Sequence, residues 1–242
     1  MLTSNDRIAV LLHEGIRGTQ GKTGLALLRY RPDTIAAIID RQCTGESLTA
    51  LTGIPCNAPI VASVSEALAY QPTVLAIGIA PSGGALPNAW LTELKQAAAA
   101  GLSIMNGLHT QMSTIPELKD LPKPEQWIWD IRQEPPGLKV GSGAARSLPC
   151  LRVLTVGTDM GVGKMATTLE LDRAAHQRGI RSKFLGTGQA GIMIAGDGIA
   201  LDAIRVDFAA GAVEQLVMRY GHDHEILLIE GQGSLMNPAS TA

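Results

Sequence analysis

The chain has 242 residues, of which 45% are hydrophobic, 17% charged and only 3% aromatic. A formal net charge of −2 argues against a basic surface for nucleic acid or for an anionic membrane. Its three cysteines are scattered and form no C-x-x-C pair, which excludes a disulfide framework or a zinc site. This length is typical of one large domain or two medium domains.

The sequence predicts no signal peptide and no membrane-spanning segment. Residues 1–10 lack a basic region followed by a long apolar core, so no signal peptide is predicted. The longest apolar runs, such as residues 226–229, are far too short to span a bilayer. We expect a cytoplasmic protein that acts on a small molecule, without a nucleic-acid or membrane partner.

Apolar runs alternate with helical stretches from the amino terminus to about residue 130. Strands are predicted at residues 7–12, 34–39, 59–61, 74–79, 103–106 and 126–130. Helices are predicted at residues 22–30, 63–69 and 89–100, with a loop at 80–87. Continuous apolar strands that alternate with helices indicate a parallel sheet covered on both faces. Residues 1–134 are therefore predicted to form a Rossmann-like α/β domain.

A stretch rich in proline and glycine, residues 133–149, interrupts this alternation. We interpret residues 135–149 as a linker and residues 150–242 as a second, P-loop-type α/β domain. Its predicted strands are residues 152–156, 182–185 and 225–229, and its predicted helices are 165–178 and 208–220. A domain with only three predicted strands leaves an exposed sheet edge with unpaired backbone groups. We expect a missing carboxyl-terminal segment or a covering partner, and self-association is a weaker expectation.

The most informative stretch is residues 153–165, in which an apolar strand leads through a glycine-rich loop and Gly-Lys into a helix. Such a turn presents backbone N–H groups, the helix dipole and a lysine to a phosphate. The candidate phosphate-binding residues are Gly157, Thr158, Asp159, Gly161, Val162, Gly163, Lys164 and Met165.

The loop departs from the usual pattern G-x-x-x-x-G-K-[ST] in two ways. Five residues separate Gly157 from Gly163, and Met165 stands where Ser or Thr normally binds Mg²⁺. A thioether is a poor ligand for Mg²⁺, which prefers oxygen. A phosphate site is predicted, while a magnesium nucleotide as its ligand stays an open question and no metal ligand is assigned.

A second glycine-rich turn, residues 15–23, has the same spacing and also lies between a strand and a helix. Lys22 and Thr23 are therefore candidates for a further contact to the ligand. Asp40 ends the next strand, where dinucleotide-binding folds place a carboxylate on the ribose. An ordinary β–α turn explains the same residues equally well.

Four polar residues are candidates for the chemistry. Glu230 follows a buried strand and occupies the place of a magnesium ligand or a general base, although a capping role is the alternative. Gln189 and Gln232 lie in glycine-rich loops and are candidates for substrate binding. His109 follows a strand and has a pKa range suited to proton transfer, although a single histidine is more often structural.

Two known families resemble this chain. The loop Gly157-Thr-Asp-Met-Gly-Val-Gly-Lys164 and the segment Glu230-Gly-Gln-Gly are similar to those of dethiobiotin synthetases, which carry Thr after the lysine. A resemblance along nearly the whole chain is to the two-domain D-glutamate N-acetyltransferases. It rests on the loops already named and on residues 22–30, 80–84, 107–109, 186–192, 207–213 and 230–235.

The second resemblance implies transfer of an acetyl group from acetyl-CoA to the amine of a small acidic amino acid such as D-glutamate. The loop at Lys164 would then hold the phosphates of coenzyme A, for which no Mg²⁺ is needed. Glu230 or His109 would take the proton, and N–H groups near Gly188 or Gly231 would stabilise the oxyanion.

Two other functions remain open at this point. The local resemblance to dethiobiotin synthetases implies an ATP-dependent, carboxylate-activating ligase or kinase that uses magnesium. A non-enzymatic sensor that binds a nucleotide or coenzyme A would also use the loop at Lys164.

Overall fold

The computed structural model describes residues 2–3, 5–81, 85–119 and 123–238. The chain folds into two compact units, residues 1–132 and 133–242. Part of the predicted loop at 80–87, residues 82–84, lies outside the described residues. Within the described ranges, no helix is long and apolar enough to cross a membrane.

The first unit contains a six-stranded, entirely parallel sheet in the order β3-β2-β1-β4-β5-β6. Its strands are β1 (Ile8–Leu11), β2 (Ile35–Ile39), β3 (Ile60–Val61), β4 (Val74–Ile77), β5 (Ser103–Asn106) and β6 (Ile128–Asp130). This is the strand order of dinucleotide-binding folds, in which the direction of winding reverses between β1 and β4. The predicted Rossmann-like sheet is confirmed.

The helices of this unit are α1 (Lys22–Tyr30), α2 (Leu48–Thr52), α3 (Val64–Ala67), α4 (Leu91–Ala100) and α5 (Pro116–Lys119). The sequence prediction missed α2 and α5, which have five and four residues. The residue types at the two ends of α2 are those expected of helix caps. Ser47 accepts a hydrogen bond from the amide of Ala50, and Gly53 ends the helix at φ 71°. The apolar periodicity of so short a helix is too brief to detect.

The second unit has a three-stranded parallel sheet in the order β7-β9-β8. Its elements are β7 (Leu151–Leu154), α6 (Lys164–Gln177), β8 (Ser182–Leu185), α7 (Gln189–Ala195), α8 (Val206–Tyr220) and β9 (Ile226–Ile229). Helix α7 starts at Gln189, so the sequence-based placement of this residue in a glycine-rich loop is wrong. The sequence does not predict this helix, because Gly188 precedes it and Gly191 lies within it, and glycine is a poor helix former.

The core of the second unit lies between the central strand β9 and helix α8. Leu227 and Ile229 of β9 belong to one buried cluster with Ala212, Leu216 and Val217 of α8. Strands β7 and β8 are the two edges of the sheet, and Leu151 and Leu154 of β7 are 60% and 56% exposed. The predicted exposed edge of the three-stranded sheet is therefore present at β7.

Residues 135–149, interpreted from sequence as a linker, pack against α8 within the second unit. The carboxylate of Glu214 accepts hydrogen bonds from the amide and hydroxyl of Ser142, at 2.7 and 2.8 Å, and from the amide of Ala145. Gly211 allows this close approach, because a Cβ there would lie 1.7 Å from the carbonyl oxygen of Lys139. The segment is thus fixed along α8 at two points.

Candidate functional site

The phosphate loop connects the carboxyl end of β7 to the first residue of α6, as the sequence predicted. Gly161 and Gly163 have φ values of 71° and 100°, a region that favours glycine. Helix α6 begins at Lys164, and no side chain caps its amino terminus. The first turn of α6 therefore presents its amides and the positive end of the helix dipole at this loop.

The ammonium group of Lys164 joins two separate segments at this end of the sheet. Its Nζ donates hydrogen bonds to the carbonyl oxygens of Asp159, at 2.8 Å, and Gly233, at 2.7 Å. An ammonium group has three N–H donors. These two bonds fix the position of the charge and leave a third donor for an anion.

Asp159 places a negative charge inside the same loop. The side-chain amide of Asn237 and the backbone amide of Met160 donate to its Oδ1, at 2.9 and 2.7 Å. The pKa of Asp159 is lowered, first by the bond from Asn237, then by the bond from Met160, and also by the charge of Lys164. The carboxylate is exposed and ionised at neutral pH, so it opposes the binding of a phosphate.

Met165, the second residue of α6, has no oxygen ligand to offer a metal. The nearby Thr168 does not replace it, because its hydroxyl is fully buried and donates to the carbonyl of Lys164 at 2.7 Å. The same hydroxyl lies 2.8 Å from that of Thr155. Among the described residues, no three His, Cys, Asp or Glu side chains are grouped as metal ligands. A metal-free site stays a prediction.

Glu230 ends β9, which lies between β7 and β8, and is 6% exposed. Its Oε2 accepts hydrogen bonds from the backbone amides of Thr187 and Gly188, at 3.0 and 3.2 Å. The hydroxyl of Thr187 donates in turn to the carbonyl oxygen of Glu230 at 2.6 Å. A Cβ on Gly191 would lie 2.2 Å from Oε2, so the glycine provides the space for this carboxylate. Glu230 therefore holds the β8–α7 turn against the end of β9.

The two glutamines have different positions. Gln232 joins the Glu230 cluster, since its Nε2 donates to the hydroxyl of Thr187 at 3.2 Å. Gln189 is the first residue of α7 and is half-buried. Sequence reasoning missed Thr187, which contacts both Glu230 and Gln232, because an isolated threonine in a glycine-rich loop carries no specific signal.

The amides of Gly188 and Gly231, near which an oxyanion hole is expected, are hydrogen-bonded within the protein. The amide of Gly188 donates to Glu230, and the amide of Gly231 donates to the hydroxyl of Thr155 at 3.3 Å. These two amides therefore have partners within the protein, and an oxyanion hole formed by other N–H groups near them stays a prediction.

A cavity of about 380 Å³ opens beside the phosphate loop, at the carboxyl ends of β7 and β9. Most of its lining is apolar and comes from the sheet, from residues 201–204 and from the first half of α8. The lining residues are Leu154, Val156, Gly157, Thr187, Leu201, Ile204, Val206, Ala209, Val213, Ile229, Glu230, Gly231, Gln232, Ser234 and Leu235. Glu230 and Gln232, two of the predicted site residues, thus reach one cavity with Gly157.

The candidates in the first unit do not form a comparable cluster. His109 and Lys22 are exposed, whereas Thr23 is 2% exposed. Lys22 begins α1 after the turn that follows β1, next to the point where the strand order reverses. A contact of Lys22 or Thr23 with a ligand, and a catalytic role for His109, stay predictions.

Of the two interpretations of Asp40, the structure supports the ordinary β–α turn. Asp40 is fully buried, and its carboxylate accepts hydrogen bonds from the amides of Glu14, Ile16 and Gln42. The carboxylate therefore fixes the turn after β1 and has no surface to offer a ribose.

Comparison with known proteins agrees with this architecture. Residues 41–134 match a family model described as the DUF1611_N Rossmann-like domain, and residues 139–242 match the DUF1611_C P-loop domain, both domains of unknown function. A crystal structure of a DUF1611 family protein from Anabaena variabilis is 63% identical, with a TM-score of 0.93. The match covers 98% of this chain and 69% of that one. The chain belongs to the DUF1611 family.

Two curated relatives are named D-glutamate N-acetyltransferase. One, from a Pseudoalteromonas species, is 39% identical over 73% of this chain and 53% of its own length. The other, from Tritonibacter scottomollicae, is 36% identical over 89% of this chain and 62% of its own length. This DUF1611 chain therefore spans between half and two thirds of the length of these two curated relatives.

We predict that Asp159→Asn strengthens the binding of inorganic pyrophosphate, used as a probe of the phosphate loop, by about two- to fivefold, because it removes a negative charge while keeping an oxygen acceptor for Met160. Calorimetric titration at low ionic strength measures the change. Glu225→Gln, at the opposite end of β9, is the control for a change in net charge and should leave the affinity unchanged. Weaker binding by Asp159→Asn would show that the carboxylate assists the ligand.

Proposed function

We propose that this chain carries the co-substrate site of an acetyl-CoA-dependent N-acetyltransferase that acts on a small acidic amino acid such as D-glutamate. The main support is the glycine-rich phosphate loop. Its Lys164 lies at the start of α6, and Met165 replaces the hydroxyl residue that normally binds magnesium. The names of the two curated relatives give the proposal its reaction and its acceptor.

The loop suits the phosphates of coenzyme A better than a magnesium nucleotide. Coenzyme A is held by its phosphates and transfers an acyl group, so its binding needs an anion cradle and no metal at the reacting atoms. Lys164 and the first amides of α6 supply positive charge, while Met165 supplies no ligand for Mg²⁺. This combination favours acetyl transfer over the ATP-dependent alternative.

In the proposed reaction, the acceptor nitrogen attacks the thioester carbonyl. A C–N bond forms, the C–S bond breaks, and the sulfur of coenzyme A leaves with the electron pair. The amine must lose one proton, which a base accepts and which finally protonates the released thiolate.

Glu230 is the proposed base, because it is the ionisable side chain among the residues that line the cavity. The amides of Thr187 and Gly188 donate to its Oε2 and fix the orientation of the carboxylate. His109 is the second candidate, from the first unit.

We predict that acetyl-CoA raises the melting temperature of the protein more than an equal concentration of Mg-ATP does, and that adding EDTA leaves the effect of acetyl-CoA unchanged. Binding to the native state stabilises a protein in proportion to the logarithm of ligand concentration over Kd. Thermal unfolding with each ligand measures the order. A larger shift with Mg-ATP would favour the ligase or kinase.

We further predict that Glu230→Gln lowers kcat for acetyl transfer to D-glutamate by about 100-fold or more, while the KM for acetyl-CoA stays the same. The glutamine oxygen can still accept the amides of Thr187 and Gly188, so the fold should be retained. Release of free thiol provides the assay, and His109→Asn provides the comparison. Full activity in Glu230→Gln together with loss in His109→Asn would move the base to the first unit.

A further inference from the structure

The apolar cavity is continuous with the phosphate loop. Gly157 begins the loop and also lines the cavity, and the chain from Gly231 to Leu235 borders both, since Gly233 binds Lys164. We propose that this cavity receives the thioester-bearing arm of acyl-CoA, with the amino-terminal half of α8 as its outer wall. This assignment rests on the proposed function and adds the place of the arm and the residues that contact it.

The chemistry of the lining fits such an arm. Leu154, Val156 and Ile229 form the sheet side, and Val206, Ala209 and Val213 form the α8 side. A volume of about 380 Å³, with apolar walls and a few polar groups, is typical of sites for small organic ligands. The arm of coenzyme A is a mostly aliphatic chain with two amides, so it can bury its methylene groups here and meet Thr187 or Gln232 with its polar groups.

The acidic amino acid is a poorer occupant of the same space. Glu230 is the ionisable residue in the lining, and no Lys, Arg or His is among the lining residues. The nearby Arg205 already binds Glu134, through its amide at 2.8 Å and its guanidinium at 2.6 and 2.9 Å. Two substrate carboxylates would therefore meet a negative charge without a counter-charge in the cavity wall.

The exposure of the wall is consistent with a surface that a ligand covers. Val206 is 86% exposed, Val156 61% and Leu235 69%, although all three are apolar. An exposed apolar patch of this kind marks a ligand-binding groove or an interaction surface. Its continuity with an anion cradle distinguishes a phosphorylated ligand from a purely apolar one.

The test compares coenzyme A with adenosine 3′-phosphate 5′-diphosphate, which has all its phosphates but lacks the arm. Ala209→Leu fills the cavity from α8, and Ala210→Leu is the matched control, since Ala210 is exposed and does not line the cavity. Calorimetric titration should show about tenfold weaker binding of coenzyme A to Ala209→Leu, because an overfilled site costs about 1–3 kcal/mol. The armless probe should bind both variants and the wild type equally.

The possible results separate this inference from the proposed function. Equal affinity of wild type and Ala209→Leu for coenzyme A would overturn the assignment of the cavity while leaving the phosphate site intact. If Ala209→Leu weakens the binding of D-glutamate but not that of coenzyme A, the cavity is the site of the acceptor amino acid and the inference is wrong. Failure of the wild type to bind either phosphorylated probe would reject the proposed function itself.

A second variant protects the test from a folding defect. Val206→Trp changes a side chain that is largely exposed at the edge of the cavity, so it should not disturb the core. Like Ala209→Leu, it is expected to weaken the binding of coenzyme A and to leave the binding of the armless probe unchanged. If Ala209→Leu does not fold, an unchanged affinity of Val206→Trp for coenzyme A would overturn the assignment by itself.

Discussion

The candidate site depends on one electrostatic constraint, the fixed position of the Lys164 ammonium group. Its bonds to the carbonyls of Asp159 and Gly233 tie the phosphate loop to the segment that follows β9. The charge is thereby held at the start of α6, where the helix dipole has the same sign. Hydrogen bonds from a charged donor are stronger than neutral ones, so this link orients the loop before a ligand arrives.

A second link orders the opposite side of the site. The buried carboxylate of Glu230 accepts the amides of Thr187 and Gly188, and the hydroxyl of Thr187 bonds back to the main chain. Gln232 joins through the same hydroxyl. Parallel pairing of β7, β9 and β8 brings the three loops to one edge of the sheet, as open α/β folds do for their ligands. The cavity between these loops and α8 is a consequence of that arrangement.

Local patterns in the sequence were sufficient for much of this architecture. The apolar run, the glycines and Gly-Lys of residues 153–164 specify a strand, a turn with positive φ and a helix start without help from distant residues. The mostly apolar run of residues 225–229 likewise predicts strand β9, with Glu230 directly after it. The roles of the predicted site residues, by contrast, remain predictions until ligands are bound.

The rest required contacts between residues that are distant in sequence. Nothing near Lys164 indicates that its ammonium bonds to Gly233, 69 positions away. The packing of residues 135–149 depends on Gly211 and Glu214 of α8, and a stretch rich in proline and glycine is typical of linkers as well as of such straps. Asp40 shows the same difficulty, because only the fold reveals that its carboxylate accepts hydrogen bonds from the backbone amides of the turn after β1.

Calorimetric titration of coenzyme A into wild type and Lys164→Ala, in EDTA, tests the central claim most directly. A charge-assisted bond to a phosphate contributes about 1.5–3 kcal/mol, so we expect Lys164→Ala to bind at least about tenfold more weakly. Lys183→Ala, which removes an equal charge from β8, should bind like the wild type. Equal affinities of Lys164→Ala and wild type, or binding that requires added Mg²⁺, would contradict a metal-free phosphate site at this loop.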